Sequence, residues 1–229
     1  MGHTEAGLYM TALMTSRRCF VLALSASALG LHPAFADAPV ISEKARALSK
    51  FFDSLKVETL WIAGAHINWF TGEPDGVAET MAGQHTHCSA FAASVAKRLG
   101  IYILRPPEHK QALLANAQFE WLSGNEGVAQ GWMAVAGAIA AQVAANAGQL
   151  VVVVYRNHHE DKPGHVAIVR PSLKSVAQIA AEGPDITQAG SKNYSVTSVK
   201  LGFAGHPAAW GKGEARYFAH EIPGAIPVD

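Results

Sequence analysis

Two residues of this chain stand where covalent chemistry could be done. Cys88 opens an amphipathic run, CSAFAASVAKRL, and His165 opens a hydrophobic stretch, HVAIVRP, far downstream. A thiol attacks a carbonyl as its thiolate, and a free cysteine with pKa about 8.5 is mostly protonated at neutral pH, so a nucleophilic cysteine needs an activating environment. Two sources of activation are legible here. The unpaired amides and dipole of a helix N-terminus favour a negative charge on Cys88, and the same amides would hold an oxyanion formed by attack on a carbonyl. An imidazole supplies the rest. His165 follows Pro163-Gly164 and, as a strand's first residue, is placed to shuttle the proton as base and then acid.

The surrounding elements follow from hydrophobic period. Ala45, Leu48, Phe52 and Leu55 recur at helical spacing behind a Ser42 N-cap, which predicts a packing helix over Ser42 to Leu55. The cysteine helix runs from Cys88 to Leu99 and closes on Gly100, with Lys97 and Arg98 in its last turn. Further helices are predicted over Glu108 to Leu122 and, alanine-rich, over Gly127 to Ala147. The period then changes. Gln149 to Arg156, His165 to Pro171, Asp185 to Gly190 and ARYFAHEI, ending at Ile222, read as strands. Helices followed by an antiparallel meander predict an α+β domain with a helix on one face of the sheet. WIAGAHINWFTGEPDG, Trp61 to Gly76, breaks every period and reads as a loop whose Trp69 could line a cleft.

Composition removes several function classes. With 18 Lys+Arg against 18 Asp+Glu in 229 residues, the chain has no basic footprint for nucleic acid. The N-terminal part reads as an address. Arg17 and Arg18 precede a mostly apolar run, Cys19 to Leu31, and Ala34-Phe35-Ala36 offers the small residues of a cleavage site. Residues 1–36 are therefore expected to be an N-terminal extension and signal peptide, with Met14 an alternative start, and 37–229 the mature domain. SRRCFVL, Ser16 to Phe20 in particular, resembles a twin-arginine export signal. The apolar run falls well short of the roughly 20 residues of a membrane span, so a periplasmic or secreted protein without stable membrane insertion is expected. Cleavage removes Cys19 and leaves one thiol, so no internal disulfide forms.

HCSAFAASVAKRLGI resembles the nucleophile helix of the NlpC-type papain-like cell-wall hydrolases, and GHVAIVRP is similar to the histidine strand of that superfamily and of the CHAP amidases. The likeness covers Thr86 to Ile101 and Gln149 to about Gly190. It implies a papain-like fold, cysteine peptidase or amidase activity without a cofactor, and peptidoglycan or another peptide as substrate. It also implies a third polar residue on the strand after the histidine, which matches Gln188, with Asn193 in reserve. An amide oxygen there would accept the imidazole N–H and fix its tautomer. Gln84, upstream of the cysteine, would donate to the oxyanion as a glutamine does in papain-like proteases, and His87 stands where the family has Asp.

Three other readings compete. His85, His87 and Cys88 lie within four residues, and His158-His159 adds a pair, which suggests a metal site, although no HExxH or paired CxxC accompanies them. A wall-binding domain would instead use Trp61, Trp69 and Trp132 to stack on sugars, with Cys88 as core. An acyltransferase would resolve the same acyl-enzyme with an amine or alcohol.

Overall fold

The computed structural model describes residues 40–78 and 85–227. The proposed signal segment and Gln84 lie outside them.

The apolar run LVVVVY leaves no polar side chain for solvent, and it forms β2 (Leu150–Tyr155), buried throughout. It pairs with β3 (His165–Val169), equally buried, in a register running from Val151 opposite Val169 to Tyr155 opposite His165. Strands without a polar face must be covered on both sides. They sit at the centre of a six-stranded antiparallel sheet of order β1-β6-β2-β3-β4-β5, with β1 (Met133–Val135), β4 (Asp185–Gln188), β5 (Tyr194–Ser198) and β6 (Arg216–His220).

Alternation divides the sheet's side chains between two apolar layers. Leu150, Val152, Val154, Val166, Ile168 and Phe218 face α1 (Glu43–Ser54), α2 (Cys88–Arg98) and α3 (Leu114–Ser123). Val151, Val153, Tyr155, Ala167, Val169, Tyr217 and Ala219 face the opposite layer, made by α5 (Gly137–Ala147), α7 (Val199–Gly202) and α8 (Pro207–Gly211). The expected helix on one face is thus a layer on each. Periodicity alone cannot say how many sides of a continuously apolar strand are covered by its own chain.

The predicted helix over Gly127 to Ala147 is three elements: α4 (Asn125–Ala129), β1 and α5. Gly131 and Gly137 adopt φ of +91° and +83°, which interrupt a right-handed helix. Between them Trp132 is fully buried and donates its indole N–H to Tyr102 O at 2.8 Å. The helix predicted from Glu108 begins only at Leu114, because Leu113 sits in the left-handed region at φ 57°. β5, α6 (Val176–Glu182), capped by a reciprocal Ser175 and Gln178 box, α7 and α8 were not anticipated from the apolar pattern.

The Trp61 to Gly76 segment is a loop, as its composition predicts. Its Trp61 is core: the ring is 1% exposed, meets Phe91 edge-on at 5.1 Å and leaves Gly72 no room for a side chain. With Trp61 and Trp132 both buried, two of the three tryptophans proposed for sugar stacking are unavailable to it. Among the described residues, no helix is long and apolar enough to cross a membrane.

Candidate active site

Cys88 is the first residue of α2. Its N-cap, His87, makes no side-chain capping bond, so the helix's leading amides are free for another acceptor. The groups that favour a thiolate here are, in falling order, the backbone N–H of Val166 on β3, the backbone N–H of Ser89, the Thr86 side chain and the backbone N–H of Cys88 itself. The thiol is only 4% exposed. Burial nevertheless dominates and pushes the thiol pKa up. This corrects the expectation of a lowered value: the helix amides are present, but desolvation of the thiolate outweighs them.

His165 begins β3 because of what precedes it. A Cβ at Gly164 would fall 2.0 Å from Tyr155 O and 2.5 Å from Asn116 Oδ1, so only glycine lets the turn close onto β2. Asn116 of α3 fastens that turn, donating to Lys162 O and accepting from Asn157 N–H. The imidazole, 5% exposed, donates through Nε2 to Gln188 Oε1 at 2.9 Å. The amide's orientation is fixed by its other end, where Gln188 Nε2 donates to Lys192 O at 3.1 Å. Oε1 can only accept, so Nε2 carries the proton and Nδ1 keeps the basic lone pair. Close packing holds this arrangement: a Cβ at Gly202 would lie 2.5 Å from Gln188 Oε1, and Phe203 meets the His165 ring edge-on at 4.6 Å. Burial lowers the ring's pKa, and the bond to Gln188 opposes that shift.

The thiol and the ring approach β3 from opposite layers. Cys88 belongs to the layer of Val166 and Ile168, whereas the His165 ring packs on Phe203 in the layer of Ala167 and Val169. What links them along β3 is sequence: Val166, whose backbone amide favours the thiolate, is the residue that follows the histidine. Both groups rest neutral: burial raises the acid and lowers the base.

Of the two candidates for the third position, Gln188 faces the ring. Asn193 is a clamp instead, donating to Val57 O and Leu60 O at 2.8 Å each and accepting from Gly190 N–H. Their replacements should therefore separate. Gln188→Ala is expected to lower kcat about tenfold with a modest loss of stability, because the ring loses its tautomer restraint. Asn193→Ala should leave kcat nearly unchanged while costing about 2–3 kcal/mol of stability, because it strands several carbonyls. Steady-state kinetics beside urea unfolding would check both.

His87 donates through Nε2 to Ala65 O at 3.0 Å, with Nδ1 3.4 Å from Gln111 Oε1, and so ties the helix start to the loop. Trp69 lies beside Lys97, whose ammonium sits 5.2 Å from the ring, in the last turn of α2. The backbone of Lys97 is more than 10 Å along the helix from that of Cys88 at 1.5 Å per residue, and no contact between Trp69 and Cys88 is seen among the described residues. His158 pairs with Glu214 at 2.6 Å, and no group of three His, Cys, Asp or Glu among the described residues is placed to hold a metal ion.

One residue beside the site escaped the sequence reading. His206 stacks on His165, centroids 5.6 Å apart and planes 18° from parallel, and burial with the nearby His165 charge brings it down to about 4. The available signal was Pro207, which marks a helix start and so a fixed N-cap at His206.

These shifts set a stability window. Both histidines resist protonation when folded, so the unfolded chain binds more protons below their ordinary 6.5 and stability falls as pH drops from there toward about 4. The raised thiol works on the alkaline side, where the unfolded chain ionises first and stability declines above the ordinary cysteine value. Chemical denaturation across pH 4–10 should give a plateau near neutrality, and Cys88→Ala should flatten its alkaline edge.

Compared with known protein families and with curated proteins, the chain matches none.

Proposed function

We propose that the chain is an exported papain-like cysteine hydrolase that cleaves amide bonds, with Cys88 as nucleophile, His165 as base and acid, and Gln188 as the residue that orients the imidazole. The observation that carries this reading is the His165–Gln188 bond. It leaves Nδ1 of a buried imidazole as the basic nitrogen, on the residue before Val166, whose backbone amide favours a thiolate at Cys88.

Because both groups rest neutral, the proton leaves sulfur as the carbonyl arrives, not before. Nδ1 takes it while sulfur bonds to the carbonyl carbon, and the oxyanion is held by the amides at the start of α2. The tetrahedral intermediate collapses, the C–N bond breaks, and the imidazolium gives its proton to the departing amine. Water, deprotonated by the same nitrogen, then attacks the thioester, which releases a carboxylic acid and restores the thiol.

Peptidoglycan as the substrate rests on two sequence features: the apparent export signal ending at Ala36 and the likeness of Thr86 to Ile101 to the NlpC nucleophile helix. Stem-peptide bonds and the lactyl amide are the amides such a protein would meet. The test is mass spectrometry of wall fragments released by the mature chain, residues 37–229. New amino and carboxyl termini within the stem, or free stem peptide, are expected. Intact wall after prolonged incubation, with model peptides equally untouched, would overturn the proposal.

A further inference from the structure

We propose that His206 is a positioning residue for His165: stacked on the imidazole's face, it completes, with Phe203 and Gln188, a box that allows the ring a single orientation. This rests on the reading of His165 as the catalytic base.

Three sides of that ring are accounted for. Gln188 Oε1 holds Nε2 at 2.9 Å, Phe203 meets it edge-on at 4.6 Å, and His206 lies nearly parallel to it at 5.6 Å, within the range in which offset-stacked rings attract. His206 is itself held. It also meets Tyr155, with centroids 5.4 Å apart and planes tilted by 45°. Its backbone is pinned in the turn between α7 and α8, where His206 N–H donates to Phe203 O at 2.8 Å, His206 O accepts from Ala209 N–H at 2.9 Å, and Pro207 fixes the next residue. Phe203 and His206 therefore come from one turn, so a single local structure supplies two walls. Gly202 in the same segment makes the close approach to Gln188.

Charge decides what kind of wall this is. The titratable groups that face His206 are His165 and Tyr155, and behind Tyr155 stand Glu214 and His158, paired at 2.6 Å. His165 has an acceptor for its ring proton in Gln188, whereas none is seen for the ring of His206 among the described residues, so the first proton the pair binds goes to His165. His206 stays neutral while the base works. A neutral aromatic ring should therefore replace it, and a small side chain should not.

The test compares His206→Phe and His206→Ala by nitrogen–proton NMR of the His165 ring and, in parallel, by kcat and KM on the released-fragment assay. In the starting protein His165 should show a single Nε2–H tautomer. His206→Ala is expected to give a mixed tautomer, with kcat down about tenfold and KM within about twofold, while His206→Phe recovers both readouts to within about threefold. An unchanged tautomer and kcat in His206→Ala would overturn the proposal, as would a loss in His206→Phe equal to that of the alanine variant in a folded protein. If the starting protein shows no hydrolysis, the catalytic reading fails, and the ring spectrum alone still decides whether His206 orients His165.

Discussion

Cys88→Ala is expected to lower amide hydrolysis by at least about a thousandfold while the protein stays folded. The two halves of that result have separate causes. Activity falls because no other thiol lies among the described residues and no described side chain beside His165 offers an alternative nucleophile. Folding survives because the sulfur lies at a helix start whose other residues, Ala90 to Ala96, are completely buried and hold α2 against the sheet without it. The lost contacts of one sulfur cost about 1 kcal/mol. Circular dichroism and thermal unfolding report the fold, and the wall-fragment assay reports the chemistry. A variant that unfolds would shift the test to Cys88→Ser, which keeps the shape and is expected to be equally inactive.

His165→Ala should lower kcat about a thousandfold, the usual contribution of a positioned acid-base group. Unlike the cysteine variant it should also destabilise. It strands Gln188 Oε1, buried at 3% exposure, and it empties the space between Phe203 and His206. An unpaired buried acceptor costs about 1–3 kcal/mol. His165→Gln keeps a donor for Gln188 and should recover most of the stability with none of the activity. A further readout follows from the neutral resting pair: iodoacetamide should label Cys88 more slowly in His165→Ala than in the parent at pH 7, because the base that accepts the thiol proton is gone.

The parts of the fold that were legible in the sequence are those with one strong periodic signal. The apolar runs at Leu150 and His165 could only be buried strands, and Ser42 and Gly100 marked the limits of their helices by capping chemistry. What escaped depends on partners distant in sequence. Met133–Val135 is a strand because β6 is there to pair with it, and its glycine neighbours adopt positive φ that an alanine-rich pattern conceals. β5 alternates weakly because it is an edge strand in which only Thr197 is buried.

The same contrast holds at the site. Cys88 and His165 were recognisable from residue type at element starts, and the likeness to a known family singled out Gln188 over its neighbours. The direction of the thiol's shift was not legible, because the helix dipole is written in the sequence while burial is a property of the packed layers on both sides of β3. His206 was hidden for a related reason. Its stacking on His165 is a contact between β3 and the turn that joins α7 to α8, elements whose proximity follows only from the finished topology.

Acid-quench peptide mapping of the mature chain during turnover on a wall-derived peptide tests the nucleophile most directly. The account predicts a thioester on the tryptic peptide containing Cys88, carrying the acyl half of the cleaved substrate, and no adduct in Cys88→Ala. Turnover with no adduct at Cys88, undiminished after complete alkylation of that thiol, would contradict it.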